Sequence, residues 1–391
     1  MGAELAPSTP SREVAPPGTA AATLDTFLRL RFPDYDAFSS FEVIAPAGSA
    51  RFVAAYSTGP APFPRRHLFG LYLVEDDFIR ELATIDVESA ELLVSGQARQ
   101  VVARLSGRPI DTWGPDLWFA VDGSVGTHGS SFELLRWDGD RLTSELQWFS
   151  AIPGAAGELL DLDGDAVPEI VLDDTNPFIF CYVCGVQEPG FQLQRWNGVA
   201  VVPVELAPFP LEASDESRQA LDFAIALVEA DLWRDAVTAI EIVERLEPDN
   251  DELKWQAILI RRNAETRLRE AAQAPDTAYP LLAAVFAGEH ATAVDYLATF
   301  DPFDLVDLHG PLTAGTTAEG WETVVAETLV DYADRALTVR PDLAPALFLR
   351  GLGRFWLDPA QADLAITDVN AAAALDPDQP LYEAFANLLT P

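Results

Sequence analysis

Between about Phe41 and Leu206, apolar and polar residues alternate at every second position, in short runs broken by Gly, Pro, Asn and Asp. FEVIAP, ARFVAAYS, HLFGLYLVE, IRELATID, AELLVS, RQVVARLS, LWFAVD, FELLRWDG, DRLTSELQWF, PEIVLDD, FQLQRWNG and VAVVPVEL each read as strands. Ahead of them LDTFLRLRF, residues 24–32, carries a short helical stripe that Pro33 stops. Past Pro210 the apolar spacing lengthens to the helical period, beginning with QALDFAIALVEADLWRDAVTAIEIVERL. The pattern predicts an all-β domain over 23–210 and an all-α domain over 213–391, separated at APFPLEASDE. Residues 1–22 are rich in Pro, Ala, Ser and Thr and have no period, so they read as a disordered spacer.

A loose repeat runs through the β half. SARFVAAYS, QARQVVARLS and DAVPEIVLDD each open a unit that continues through a long loop into a strand–turn–strand pair. Two of the pairs turn on Arg136-Trp137-Asp138-Gly139 and Arg195-Trp196-Asn197-Gly198, and Asp-Gly and Asn-Gly are strong hairpin signals. Such a repeat suggests propeller-blade units, and three are few for a closed ring. The expected architecture is a partial, propeller-like β-domain, with a sandwich as the alternative.

Only the third unit carries a dense acidic loop, LDLDGDAVPEIVLDD, starting at Leu160. Asp161, Asp163, Asp165 and Glu169 can converge on one hard cation, and the Val167 carbonyl would complete an oxygen cage of the kind Ca²⁺ prefers. Gly164 supplies the bend. Leu172 stands where an EF-hand needs its bidentate Glu, and the flanks read as strands, so this is no EF-hand. The loop resembles the calcium loop of FG-GAP/VCBS repeats, the integrin-like propeller blades, and the resemblance implies bound Ca²⁺. Ala166 replaces the motif's second glycine, which strains the loop if that position needs positive φ.

In the C-terminal half a register of about 34 residues places Leu349, Leu352, Gly353, Trp356, Ala365, Val369, Ala372 and Pro377 at packing positions. A looser copy uses Phe223, Ala224, Ala236, Ile240 and Pro248. Val325–Val339 supplies another second helix whose first is degenerate, and a further pair surrounds Gly288 and Ala293. This half resembles a divergent tetratricopeptide array, interrupted by the Gly/Thr-rich loop from His309 to Gly320. The resemblance implies a face that binds a protein or peptide. Phe348, Arg350 and Arg354 fall at positions not used for packing. The two arginines would either receive a partner's carboxylate or pair with neighbouring acids.

Composition narrows the partners. The net charge is −37 over 391 residues, shared almost evenly between the halves, which argues against nucleic acid and anionic lipid. Lys254 is the one lysine among 25 basic residues, which together with abundant Ala, Pro and Asp reads as the codon bias of a GC-rich genome, with adaptation to high salt as a second reading. No run is long and apolar enough to span a membrane. The N-terminal spacer fits a start that replaces a cleaved export signal or a lipid-anchor segment, and so an extracytoplasmic protein, secreted, periplasmic or cell-surface.

Cys181 and Cys184 are the only cysteines. A redox pair needs a helix N-terminus, and a metal site needs two more ligands. A local disulfide fits an exported protein with no unpaired cysteine, and it matches the Cys-bearing loop that follows the calcium strand in proteins this chain resembles. The four histidines show no ligand spacing and read as surface or packing residues. No constellation argues for catalysis. The expected function is a non-enzymatic, calcium-binding interaction scaffold. An envelope enzyme or thiol-redox protein using Cys181 and Cys184, or a carbohydrate-binding module, are the alternatives.

Overall fold

The computed structural model describes the chain except residues 1–19, 36, 45–50, 60–65, 76–77, 88–94, 102, 106–107, 111–112, 126–128, 180–184, 209–213, 274–278 and 391. The chain forms two compact units: Met1–Asp173 with Gln192–Pro203, and Asp174–Phe191 with Val204–Pro391.

The first unit opens on helix α1 (Ala20–Arg31), which begins inside the expected spacer; the rest of that spacer lies outside the described residues. Strands β1 (Ala37–Val43), β2 (Arg51–Thr58), β3 (His67–Glu75) and β4 (Phe78–Asp86) make a first antiparallel sheet in chain order. β5 (Ser95–Val101) is followed by a two-stranded ribbon, β6 (Ala103–Leu105) with β7 (Arg108–Ile110), and then by β8 (Leu117–Val125), β9 (Gly129–Trp137) and β10 (Leu142–Ser150). The second sheet has the order β10-β9-β8-β5. β11 (Gly157–Leu160), β12 (Glu169–Asp173), β15 (Phe191–Trp196) and β16 (Val201–Pro203) make the third, after an excursion through β13 (Asn176–Ile179) and β14 (Val186–Glu188). The three sequence units thus yield three open four-stranded sheets, and no closed ring is present among the described residues.

Alternation explains how the sheets stack. In β8 and β9, Leu117, Phe119, Val121 and Leu135 point to one side and pack with Ala54, Tyr56, Phe69 and Leu71 of the first sheet. Trp118, Ala120, Phe132 and Leu134 point to the other side and pack with Ile170 and Leu172 of the third. The middle sheet is therefore buried on both faces. Leu24 and Leu28 of α1 cover the outer side of the first sheet over Val53, Tyr72 and Val74. Fully burying one such side chain contributes about 1.5–3 kcal/mol. The two hairpin turns are built alike. Asp138 Oδ1 accepts from the N–H groups of Asp140 and Arg141, Asn197 Oδ1 accepts from those of Val199 and Ala200, and Gly139 and Gly198 take positive φ.

Among the described residues, the second unit carries one hairpin and is otherwise built of helices and their connections. Its helices are α2 (Asp215–Glu229), α3 (Trp233–Leu246), α4 (Asp251–Ala272), α5 (Pro280–Phe286), α6 (His290–Leu297), α7 (Glu322–Val339), α8 (Ala344–Leu357), α9 (Ala362–Leu375) and α10 (Pro380–Leu389). Between α6 and α7 the chain holds only a 3-10 turn, Asp304–Val306, pinned where Trp356 donates to the Leu305 carbonyl at 2.7 Å. Glycines set the closest helix approaches. A Cβ on Gly353 would lie 2.8 Å from the Ala326 carbonyl of α7, and one on Gly351 would lie 2.9 Å from the Ala365 carbonyl of α9.

The compact units do not follow the boundary expected near 210. The β13–β14 hairpin, inside the segment assigned from sequence to the β-domain, belongs to the helical unit. Ile179 and Val186 are buried in its core, and Phe178 meets Phe286 edge-on at 5.1 Å. The apolar residues of this hairpin are buried among helices rather than in a sheet stack.

Candidate metal centre

The acidic loop is the connection between β11 and β12, closed where Leu160 pairs with Glu169. β12 is held firmly: Trp148 donates to the Asp173 carbonyl at 2.7 Å, and Ser150 Oγ donates to the Asp173 carboxylate at 2.5 Å. Leu172 is fully buried in the sheet core, which removes the EF-hand ligand position from consideration.

Inside the loop the carboxylates fold the backbone around themselves. Asp161 accepts from the N–H of Gly164 at 2.7 Å and of Ala166 at 3.1 Å, and Asp163 accepts from the N–H of Asp165 at 3.1 Å. Glu169 reaches back to accept from the N–H of Leu162 at 2.9 Å. Gly164 has φ +83° and Ala166 has φ +71°, so the residue in place of the motif's second glycine does sit in the left-handed region.

These contacts bring one oxygen each of Asp161, Asp163 and Glu169 within 4.8 Å of one another. Two oxygens on a single Ca²⁺ lie at most about 5 Å apart, twice the metal–oxygen length, so the three fit one ion. Asp165, expected as a fourth ligand, is not in this group; its carboxylate accepts from the N–H of Val167 at 2.6 Å. Val167, expected to offer its carbonyl, packs its half-buried side chain against the sheet core. Glu169 is almost fully buried, and its carboxyl is pushed up to about 7. Burial is the main cause; the Leu162 N–H opposes it, and Asp163, Asp165 and Asp161 add to it. A divalent cation would relieve that crowding of negative charge.

The other expected sites fare differently. Cys181 and Cys184 lie outside the described residues. Phe348, expected on an exposed face, is a correction: it is fully buried, with its ring centroid 5.0 Å from that of Tyr382 and 5.7 Å from that of Phe385. Helix α8 is covered on more than one side, by α7, α9 and α10. Arg350 donates from Nε and Nη2 to both oxygens of Asp368, at 2.9 and 2.6 Å, and from Nη1 to Asp334 at 2.9 Å. Arg354 donates to Asp368 at 2.7 Å. Both arginines therefore pair with neighbouring acids, and Asp368 is itself buried.

Among the histidines, His67 is buried with Nδ1 at 2.6 Å from the Tyr56 hydroxyl. His290 is buried and pushed down to about 4 by that burial. Both brace the interior. The sequence pattern did not single out Gln256, Asn263 and Arg267 of α4, three large polar side chains buried on one helix. The available signal was their common spacing on one stripe.

Comparison of the chain with protein-family models, with curated proteins and with solved structures gives no match.

Proposed function

We infer that the protein is a non-enzymatic, extracytoplasmic calcium-binding interaction scaffold. The convergence of Asp161, Asp163 and Glu169 on a space the size of one cation carries this reading. Their loop closes the first hairpin of the third sheet, so an ion there would rigidify that sheet's edge. Three carboxylates on a largely exposed loop suit the weak, millimolar class of calcium site found in extracellular modules. Three stacked four-stranded sheets support blade-like units of the FG-GAP/VCBS kind. The close helix approaches at Gly351 and Gly353 support a tetratricopeptide-like array that binds a protein or peptide.

The test is thermal unfolding of the whole chain with and without calcium. Ligand at about 100 times its dissociation constant adds about 2.7 kcal/mol of stability, which raises the melting temperature of the β unit. Asp163→Ala abolishes the rise. A melting curve indifferent to both calcium and chelator overturns the reading.

A further inference from the structure

Helix α4 devotes an inward stripe to Gln256, Asn263 and Arg267, each more than nine-tenths buried. A core helix tolerates such residues only when their polar groups find partners. Besides the Leu259 carbonyl of α4, to which Asn263 donates at 3.1 Å, the partners are the main chain of non-helical segments. Gln256 accepts from the N–H of Ala207 at 3.1 Å. Asn263 accepts from the N–H of Phe191 at 3.0 Å and donates to the carbonyl of the same residue at 3.2 Å. Arg267 donates to the carbonyl of Pro189.

Side chains of that segment are read as well. Tyr332 of α7 donates to the Glu188 carboxylate at 2.5 Å, and Arg267 Nη2 lies 3.9 Å from the same oxygen. The Arg262 guanidinium lies over the Phe191 ring, 5.1 Å from its centroid. Gly190 is required between them, because a Cβ there would sit 2.9 Å from the Asp174 carbonyl. Main-chain bonds to alternate residues with side-chain contacts at the ends are how a folded surface holds an extended peptide.

We propose that α4 and α7 form a receptor for an extended peptide carrying an acid followed, three residues on, by an aromatic ring, with Glu188-Pro189-Gly190-Phe191 as its resident occupant in cis, closing the surface until a partner displaces it. This rests on the reading of the helical unit as partner-binding and moves its binding chemistry from α8 to α4. Glu188 and Phe191 at the ends of the occupant are only half-buried, whereas Pro189 between them is buried and the apolar anchors Ile179 and Val186 lie elsewhere in the hairpin. A displacing partner must also break the bond from the Asp174 N–H to the Gly190 carbonyl at 2.8 Å and that from Asn176 Nδ2 to Glu188 at 3.4 Å.

The experiment titrates a fluorescein-labelled peptide, GVQEPGFQ (residues 185–192), into the full chain and into full-chain Glu188→Ala/Phe191→Ala. Both substitutions lie on the occupant and leave α4 and α7 intact. The variant is expected to bind the peptide roughly tenfold or more tighter than the unaltered chain, because its surface is open more of the time. A peptide with its own Glu and Phe replaced by Ala is expected to bind neither. A variant that melts cooperatively but binds the peptide no better than the unaltered chain overturns the proposal. If the variant does not fold, hydrogen exchange on the unaltered chain decides. The Phe191 amide must exchange well before the core amides of Leu227 and Ile240, and equal protection overturns the proposal. A partner recovered equally by both chains would keep the partner-binding reading and sink the receptor at this site. Calcium enters none of these measurements.

Discussion

Arg350 grips Asp368 through two nitrogens, joining α8 to α9, and the carboxylate it holds is almost wholly buried. Arg354 adds a third bond to the same group. Replacing both arginines with Met strands that charge in the interior, which costs about 3–5 kcal/mol. Chemical denaturation of Arg350→Met/Arg354→Met checks this. Adding Asp368→Leu to the same chain is expected to recover much of the loss, since a buried charge cluster replaced as a whole by apolar residues is often neutral.

The left-handed Ala166 stores strain in the metal loop. For an L residue this conformation costs about 1–2 kcal/mol, and the freer unfolded chain of a glycine returns about 0.4–1 kcal/mol of that. Ala166→Gly is therefore expected to stabilise the calcium-free protein by roughly 0.5–1 kcal/mol in urea unfolding. Ala166→Val, with a branched side chain at positive φ, is expected to move stability the other way.

Glu169 makes the calcium-free protein sensitive to pH. Its folded-state value near 7 lies above the ordinary 4.5, so the fold favours the neutral form. That contribution is fully present below about 4.5 and is lost as the pH rises towards 7. The melting temperature in chelator should thus fall between those limits, and Glu169→Gln should flatten the fall. With calcium present the trend is expected to reverse, because the ion requires the ionised carboxylate.

Cutting the chain at the boundary expected from sequence removes a piece of the helical core. A fragment of residues 213–391 lacks Ile179 and Val186, which are buried in that core. Losing two such side chains forfeits roughly 3–6 kcal/mol of burial. The fragment is expected to show helical circular dichroism but a broad, low-temperature transition, whereas residues 174–391 melt cooperatively. Equal transitions would mean that the hairpin contributes nothing to the helical unit.

Much of this architecture is legible in the sequence, for identifiable reasons. The mostly apolar runs LWFAVD and FELLRW mark β8 and β9 because both faces of the middle sheet are buried. Asp138-Gly139 and Asn197-Gly198 mark turns because their chemistry is local. What failed was long-range. Helical period shows which side of α8 meets one neighbour, but not that Phe348 also meets α10. α4 went unassigned because Gln256, Asn263 and Arg267 interrupt its apolar stripe, and their value depends on main chain far away in sequence. In the metal loop the residue types were readable, but whether Asp165 joins the cluster depends on a backbone bond to Val167 that spacing does not show.

The division of the chain between its units also fixes an order of events during synthesis. The path enters the helical unit at Asp174, returns at Gln192 and leaves again after Pro203. The third sheet stays incomplete until β16 has emerged from the ribosome. The apolar side chains of Ile179 and Val186 wait longer, since the Tyr332 that holds their strand arrives more than a hundred residues later. During that interval a bare two-stranded ribbon trails from an otherwise assembling sheet stack. Such exposed strand edges invite mispairing between nascent chains.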